Sequence, residues 1–151
     1  MRQGPHDEQR QRWTEGLIRE LGETIVGALG DDDVVEVLLN PDGRIWLDSR
    51  TEGMYDSGSR LLSQEAEAIL ASIAGMLGTQ IDSEHPIIEA ELPLDGSRIE
   101  GMVPPLVASP SFAIRKRATR VFPLSHYIDS GSMTVTQAEL LRAAIGERRN
   151  I

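Results

Sequence analysis

Apolar residues recur at helical spacing in three stretches of the chain, which predicts three helices. The first is predicted over residues 7–29 and ends at Gly30. Its apolar stripe repeats at every fourth position: Trp13, Leu17, Leu21, Ile25 and Leu29. The second is predicted to begin at Ser63 as its N-cap and to end at Gly78, where a left-handed residue is expected. Its predicted buried face consists of Ala66, Ile69, Leu70, Ile73, Met76 and Leu77.

The third predicted helix begins with a capping box formed by Thr136 and Glu139, with Val135 packing on Leu140. It ends at Gly146. The residues before it, 118–132, lose the helical periodicity and contain proline, glycine and several serines, which is typical of a linker. One turn of helix is predicted within this linker, at residues 124–127.

Shorter apolar segments between the helices predict β-strands. The predicted strands are 34–39, 44–47, 87–94, 97–103 and 111–117, and residues 48–60 are either a short strand or a loop. An Asn-Pro-Asp-Gly turn joins the first two strands, and Asp95-Gly96 is predicted to join the next two as a two-residue turn. In the register of that turn, Glu91 would lie opposite Glu100, and Arg98 would lie diagonal to Glu91.

The order of these elements predicts an α+β fold with an antiparallel or mixed sheet of about six strands. The N-terminal helix and the second helix are expected to pack on one face of the sheet, and a linker and a C-terminal helix follow. The predicted boundaries are 1–117 for the α+β domain, 118–132 for the linker and 133–151 for the terminal segment.

Composition narrows the class of protein. With 151 residues, 40% of them apolar and 26% charged, the chain is large enough for one domain with a real core. It contains no cysteine, which excludes disulfides and thiolate metal sites and fits a reducing cytoplasm. The net charge of -9 and the 4% aromatic content argue against direct nucleic-acid binding. No apolar run approaches the roughly 20 residues that span a bilayer.

The charge distribution contains one exception to this acidity, a basic block on neighbouring predicted strands. It consists of Arg98, Arg115, Lys116, Arg117 and Arg120. These cations either balance nearby carboxylates as a surface lattice, in which each exposed pair contributes at most about 1 kcal/mol, or hold an anion such as phosphate. Arg98 and Arg115 are the first candidates for phosphate contact and Arg117 is the third, because guanidinium groups form planar, permanently charged forks.

Other catalytic and metal-binding chemistry is not indicated. The three histidines have no paired spacing for a metal, and the aspartates at 31–33 lack the later oxygen ligands of a calcium loop. No serine lies in a nucleophile elbow, and neither a GxxxxGK[ST] loop nor a GxGxxG motif occurs. The chain by itself is therefore expected to have no catalytic residues, no metal site and no required cofactor.

Four motifs, in their order, resemble a known family: LNPDGRIW, LPLDGSRIEG, FAIRK and a terminal helix followed by RRNI. The chain is similar to the N-terminal domain of hexameric traffic ATPases of type II and type IV secretion, and especially to the TrbB type of conjugal DNA transfer. This resemblance implies that residues 133–151 are the first helix of an ATPase domain cut before its phosphate-binding loop, with Ile151 as the first residue of a strand. The terminal helix would then pack differently here, or dock on a second copy.

The resemblance further implies a function for the arginines. In this family, arginines of the N-terminal domain approach the phosphates of ATP, and the matching residues are Arg98 and Arg115. The resemblance implies that ATP and Mg²⁺ belong to the full-length protein, whose copies would form a hexameric ring. The implied partners are inner-membrane secretion or conjugation machinery. The expected location is cytoplasmic and peripheral to the inner membrane. The alternative is a non-catalytic α+β module that binds another protein.

Overall fold

The computed structural model describes residues 5–117 and 122–150. Arg120 of the basic block and the predicted strand residue Ile151 lie outside these ranges. The elements are α1 (Pro5–Gly30), β1 (Val34–Leu39), β2 (Arg44–Ser49), β3 (Gly53–Arg60), α2 (Ser63–Met76), β4 (Ile87–Glu91), β5 (Arg98–Met102), β6 (Ser111–Arg115), α3 (Leu124–Asp129) and α4 (Val135–Gly146).

The strands form one six-stranded sheet in the order β3-β2-β1-β6-β5-β4. Every neighbouring pair is antiparallel, so the predicted α+β class and strand number are confirmed. The ambiguous segment 48–60 contains a full strand, β3, which pairs with β2 at the edge of the sheet. Its alternating half-buried and exposed residues are typical of an edge strand with one covered face.

One face of the sheet is covered by α1 and α2, which share a single hydrophobic core with it. The largest side chains of this core are Leu17, Leu21, Ile25, Ile45, Ile69, Leu70, Ile73, Leu92, Ile99 and Ile114. At Gly101 the packing is so close that a Cβ atom would lie 2.4 Å from Cδ2 of Leu70. The opposite face of the sheet, called the open face below, carries the alternate side chains of each strand.

Helix α1 is kinked at Gly22, which has a φ of 73° and a ψ of 172°. The predicted stripe is buried from Leu17 to Ile25, but its ends differ. Trp13 is 47% exposed, whereas Leu29 is partly buried against the core and Ala28 beside it is fully within the core. The left-handed residue shifts the helical phase, and a strict four-residue repeat cannot follow one face of a straight helix because the helical period is 3.6.

The predicted C-terminal end of α2 is confirmed, whereas its predicted N-cap was wrong. Gly78 has the expected positive φ of 70°, and the amide of Thr79 donates to the carbonyl of Ala74, which completes a Schellman motif. Ser63 is not the N-cap: it is the first helical residue, and its hydroxyl bonds to Ser109. Leu62 occupies the cap position, and its amide donates to Glu65 at 2.7 Å.

The buried face of α2 includes Ala74, whereas Leu77 is 45% exposed. The prediction of Leu77 as a core residue was therefore wrong. Leu77 is the C-cap, where the chain leaves the helix and the helical face no longer continues.

Residues 118–151 form a second compact unit. In it, α3 lies within the stretch predicted as the linker, and Ala138 of α4 is fully buried. The capping box of α4 is formed by Thr134 and Gln137, whose side chains and amides bond reciprocally at 3.2 and 2.8 Å. The predicted box at Thr136 was wrong because the helix starts earlier, and Val135 and Leu140 are both mostly exposed.

No helix in the described part of the chain is long and apolar enough to cross a membrane.

Replacement of Gly101 by alanine should destabilise the domain, because the new methyl group would overlap Leu70 and lie 3.0 Å from Ile88. Overpacking of this kind costs about 1–3 kcal/mol. Urea denaturation measures the change in the free energy of unfolding. The matched control is Gly75→Ala in α2, where nothing lies within 4 Å of the new Cβ and a gain of about 0.5–1 kcal/mol is expected. Equal stability of both variants would contradict this account of the packing.

Candidate functional site

The register of β4 and β5 differs from the prediction. β4 ends at Glu91 and β5 begins at Arg98. The loop between them is closed by a hydrogen bond from the Leu92 amide to the Ser97 carbonyl at 2.6 Å. Asp95 holds this loop, since its carboxylate accepts bonds from the amide and hydroxyl of Ser97. The connection is therefore longer than a two-residue turn, and the predicted opposition of Glu91 and Glu100 was wrong.

In the observed register, Glu91 lies opposite Arg98, and Arg98 in turn lies opposite Arg115 on β6. Arg115 lies opposite Glu36 on β1. These four residues form a row of charges across the open face of the sheet, called the arginine row below. Both arginines and Glu91 are exposed, and Glu36 is half-buried. The sheet thus brings together the two first candidates for phosphate contact, although 17 positions separate them in the sequence.

Neither Arg98 nor Arg115 forms an ion pair or a side-chain hydrogen bond with any residue in the described ranges. Directly opposed side chains in an antiparallel pair have Cβ atoms about 4.5–5.5 Å apart, and like charges in that position are unfavourable. The two arginines at the centre of the row therefore carry positive charge that no described residue neutralises by direct contact.

A second opposed arginine pair in the same sheet provides a contrast. Arg44 on β2 lies opposite Arg60 on β3. Arg44 contacts the carboxylates of Asp42 at 3.4 Å and Asp56 at 3.5 Å, and Arg60 donates to the Asp42 carbonyl at 3.3 Å. This pair fits the charge-lattice interpretation, whereas the pair of Arg98 and Arg115 does not.

Arg117 and Lys116 of the basic block both have partners within the domain. Arg117 contacts Glu91 at 3.3 Å, and its guanidinium lies against Gly96, where a Cβ atom would be 3.3 Å from Cζ of Arg117. Lys116 donates to the carbonyl of Ala28 at 3.1 Å and to that of Asp31. Lys116 thereby satisfies carbonyl groups at the C-terminus of α1, a role that the sequence pattern did not indicate.

Within the described residues, no group of three or more His, Asp or Glu side chains is arranged to hold a metal ion. His85 contacts Asp82 at 3.3 Å in the loop before β4. Hydrogen bonds from the backbone amides of His85 and Glu84 hold the pKa of the Asp82 carboxyl below its ordinary value.

The chain is similar in sequence to two conjugal transfer proteins. The chain is 44% identical over 135 residues to a probable conjugal transfer protein TrbB of Sinorhizobium fredii, and 44% identical over 131 residues to conjugal transfer protein TrbB of Rhizobium radiobacter. The chain is a relative of the TrbB conjugal transfer proteins. These matches cover 89% and 87% of this chain but 41% and 40% of the two TrbB proteins, so the chain spans about two-fifths of their length.

Two more distant matches are an archaeal protein and a solved structure. An uncharacterized protein of Methanocaldococcus jannaschii, MJ0781, is 28% identical over 119 residues, which are 78% of this chain and 16% of that protein. The crystal structure of the VirB11 ATPase from the Brucella suis type IV secretion system, in complex with sulphate, matches with a TM-score of 0.68 at 22% identity. It covers 94% of this chain and 45% of the VirB11 chain, and it shows a shared fold. No protein-family model matches the chain.

Removal of one charge from the arginine row should stabilise this TrbB relative. In a Glu36→Gln background, which removes the carboxylate opposite Arg115, Arg115→Gln relieves the repulsion of Arg98 and should increase the free energy of unfolding by about 0.2–1 kcal/mol at low salt. The gain should shrink at high salt, because exposed charges are screened.

Arg60→Gln is the matched control, since it removes an opposed arginine that donates a hydrogen bond to the Asp42 carbonyl. Urea denaturation at low and high salt should show no stabilisation in this variant. If Arg115→Gln destabilised the protein in that background, Arg115 would have an attractive contact other than Glu36, which would contradict this account.

Proposed function

We propose that this chain acts as the N-terminal, nucleotide-contacting and ring-forming part of an ATPase that powers type IV secretion or conjugal DNA transfer. The names of its TrbB relatives and its structural likeness to the VirB11 ATPase support this assignment. In this proposal, the phosphate-binding loop lies in the part of the full-length protein that the chain does not span, and the 151-residue chain does not hydrolyse ATP by itself.

The observation that carries the proposal is the pair of opposed, unpartnered guanidinium groups of Arg98 and Arg115. Two guanidinium forks on adjacent strands suit the several oxygens of a phosphate tail, since arginine recognises phosphate through paired N–H donors. A dianionic or more highly charged ligand would also remove the repulsion between the two arginines. The residues present therefore fit the phosphates of a nucleotide such as ATP.

Arg98 and Arg115 would bind and orient the phosphate tail and stabilise negative charge that develops on it. Electrostatic stabilisation by fixed donors is a general source of rate enhancement in phosphoryl transfer. Bound Mg²⁺ would supply charge neutralisation between the phosphates, and we propose that its ligands belong to the ATPase domain. Arg117, the third predicted phosphate contact, is already engaged with Glu91.

The proposed full-length protein assembles with further copies of itself into a ring, most simply a hexamer, and acts in the cytoplasm with inner-membrane secretion or conjugation machinery. The fold shared with VirB11 supports the idea of self-assembly in a secretion system.

A specific observation favours the second candidate function, a protein-interaction module. A groove of about 660 Å³ lies on the helical side of the domain. Its lining includes the apolar side chains of Trp13, Met76, Leu77, Leu92 and Pro93. Trp13 and Leu77 are 47% and 45% exposed, which is unusual for large apolar side chains that lie near each other.

Tripolyphosphate should raise the melting temperature of the 151-residue chain, because a ligand that binds only the folded state stabilises it. The titration should extend to millimolar concentrations at low salt, since the site is exposed. Arg98→Gln with Arg115→Gln should abolish the shift. Arg60→Gln, in the partnered arginine pair, should leave it unchanged. Absence of any shift across the full titration in the native chain would favour the interaction module.

In the full-length protein, Arg98→Ala or Arg115→Ala should depress ATP hydrolysis while the circular-dichroism melting curve stays close to that of the unsubstituted protein. The reason is the loss of fixed positive charge near the transferred phosphoryl group. Unchanged turnover in both variants would remove the phosphate role.

The native gene product should have an intact mass well above the 16.6 kDa of this chain, with a phosphate-binding loop soon after residue 151. Mass spectrometry of the protein from its natural host tests this. A native product of 16.6 kDa would overturn the assignment to an ATPase and favour the interaction module.

A further inference from the structure

We propose that Arg117 is a positioning residue that neutralises Glu91 and thereby keeps Arg98 free to bind an anion. This inference rests on the proposed phosphate site at Arg98 and Arg115. It assigns Arg117 a role through Glu91 in place of direct phosphate contact, and it makes Glu91 a determinant of anion affinity.

The first step of the argument is the position of Glu91. Glu91 is the last residue of β4 and lies directly opposite Arg98 on β5. Cross-strand neighbours of opposite charge attract each other, so Arg98 is the partner that the register offers to Glu91. The structure instead places the Glu91 carboxylate 3.3 Å from Nη2 of Arg117.

The second step is the constraint on Arg117. Its guanidinium lies against the backbone of Gly96, whose φ of 73° places it in the left-handed region. The absence of a Cβ at residue 96 leaves room for the guanidinium, since a methyl group there would be 3.3 Å from both Cζ and Nη1 of Arg117. The loop that follows β4 therefore provides a surface on which Arg117 lies beside Glu91.

The third step is electrostatic. A carboxylate beside an anion site opposes binding, because like charges repel. It also competes with the ligand for the arginine opposite. Because Arg117 pairs with the Glu91 carboxylate, it reduces both the repulsion of the anion and the competition for Arg98. The contact is exposed, with 67% and 70% of the two side chains accessible, so effects of about two- to fivefold in affinity are expected at low salt.

Glu36 supplies a matched comparison at the other end of the arginine row. It lies opposite Arg115 as Glu91 lies opposite Arg98, but no described residue forms an ion pair with it. Neutralisation of Glu36 should therefore strengthen anion binding without any dependence on Arg117.

A double-mutant cycle distinguishes neutralisation from direct contact. The dissociation constant for tripolyphosphate is measured by calorimetry at low salt for the 151-residue chain, Glu91→Gln, Arg117→Gln and the double variant. Arg117→Gln should weaken binding about two- to fivefold in the native background and have no effect in the Glu91→Gln background. Arg117→Lys should retain most of the native affinity, because it keeps the positive charge.

The control cycle replaces Glu91→Gln with Glu36→Gln. In that background Arg117→Gln should still weaken binding by its full factor, because Glu91 retains its charge. Thermal melting of each variant without ligand verifies that the domain is folded.

The outcomes separate the two proposals. An equal loss from Arg117→Gln in the native and Glu91→Gln backgrounds would overturn the inference and establish direct contact with the phosphate. No loss in the native background would also overturn it. If tripolyphosphate bound the native chain no more tightly than the variant lacking both Arg98 and Arg115 charges, the proposed phosphate site itself would fail, and this inference with it.

Discussion

The pairing of β5 with β6 is the constraint on which the candidate site depends. Ile99 lies opposite Ile114, and both side chains are completely buried beneath the two helices. Because side chains alternate between the two faces of a strand, burial of these isoleucines places the residues before and after them on the open face. A shift of one residue in either strand would bury an arginine and expose an isoleucine. The core therefore fixes the position of Arg98 opposite Arg115.

The same core limits how these strands can adjust. Gly101 packs directly against Leu70 of α2, so β5 cannot carry a side chain at that position without displacing the helix. Repulsion between the arginines acts on a sheet that is held from its other face. The domain can thus maintain an unfavourable contact on its surface, and such contacts are often found where a ligand or partner contributes the missing charge.

The electrostatic character of the domain limits which anions the proposed site would bind. The chain carries a net charge of -9, so its surface as a whole does not attract anions. At the centre of the arginine row, two positive charges without a direct partner among the described residues lie opposite each other, with Glu91 and Glu36 at the ends of the row. This arrangement favours a compact, highly charged anion that reaches both guanidinium groups over an extended polyanion such as nucleic acid. The groove on the helical side meets this site at its edge, because Glu91 and Gly96 also line it, and its apolar residues suit a protein partner.

The sequence by itself determined the class of fold and the residues of the candidate site. Periodicity located the helices and most strands, since apolar side chains must follow the face that is buried, and the Asn-Pro-Asp-Gly turn fixed the first hairpin. The sequence also distinguished Arg98 and Arg115 from the remaining cations as the first candidates for phosphate contact.

Only the tertiary structure decided which charges meet. The loop held by Asp95 and Ser97 is longer than a two-residue turn, so β4 and β5 are shorter than predicted and Glu91 lies opposite Arg98. The Asp95-Gly96 sequence did not predict this register. The partners of Lys116 and Arg117 come from the end of α1 and from the last residue of β4, distant segments that no local pattern connects with them. Local propensity specifies elements, but the pairing of surface charges depends on register and on long-range packing, because each contact joins atoms from different parts of the chain.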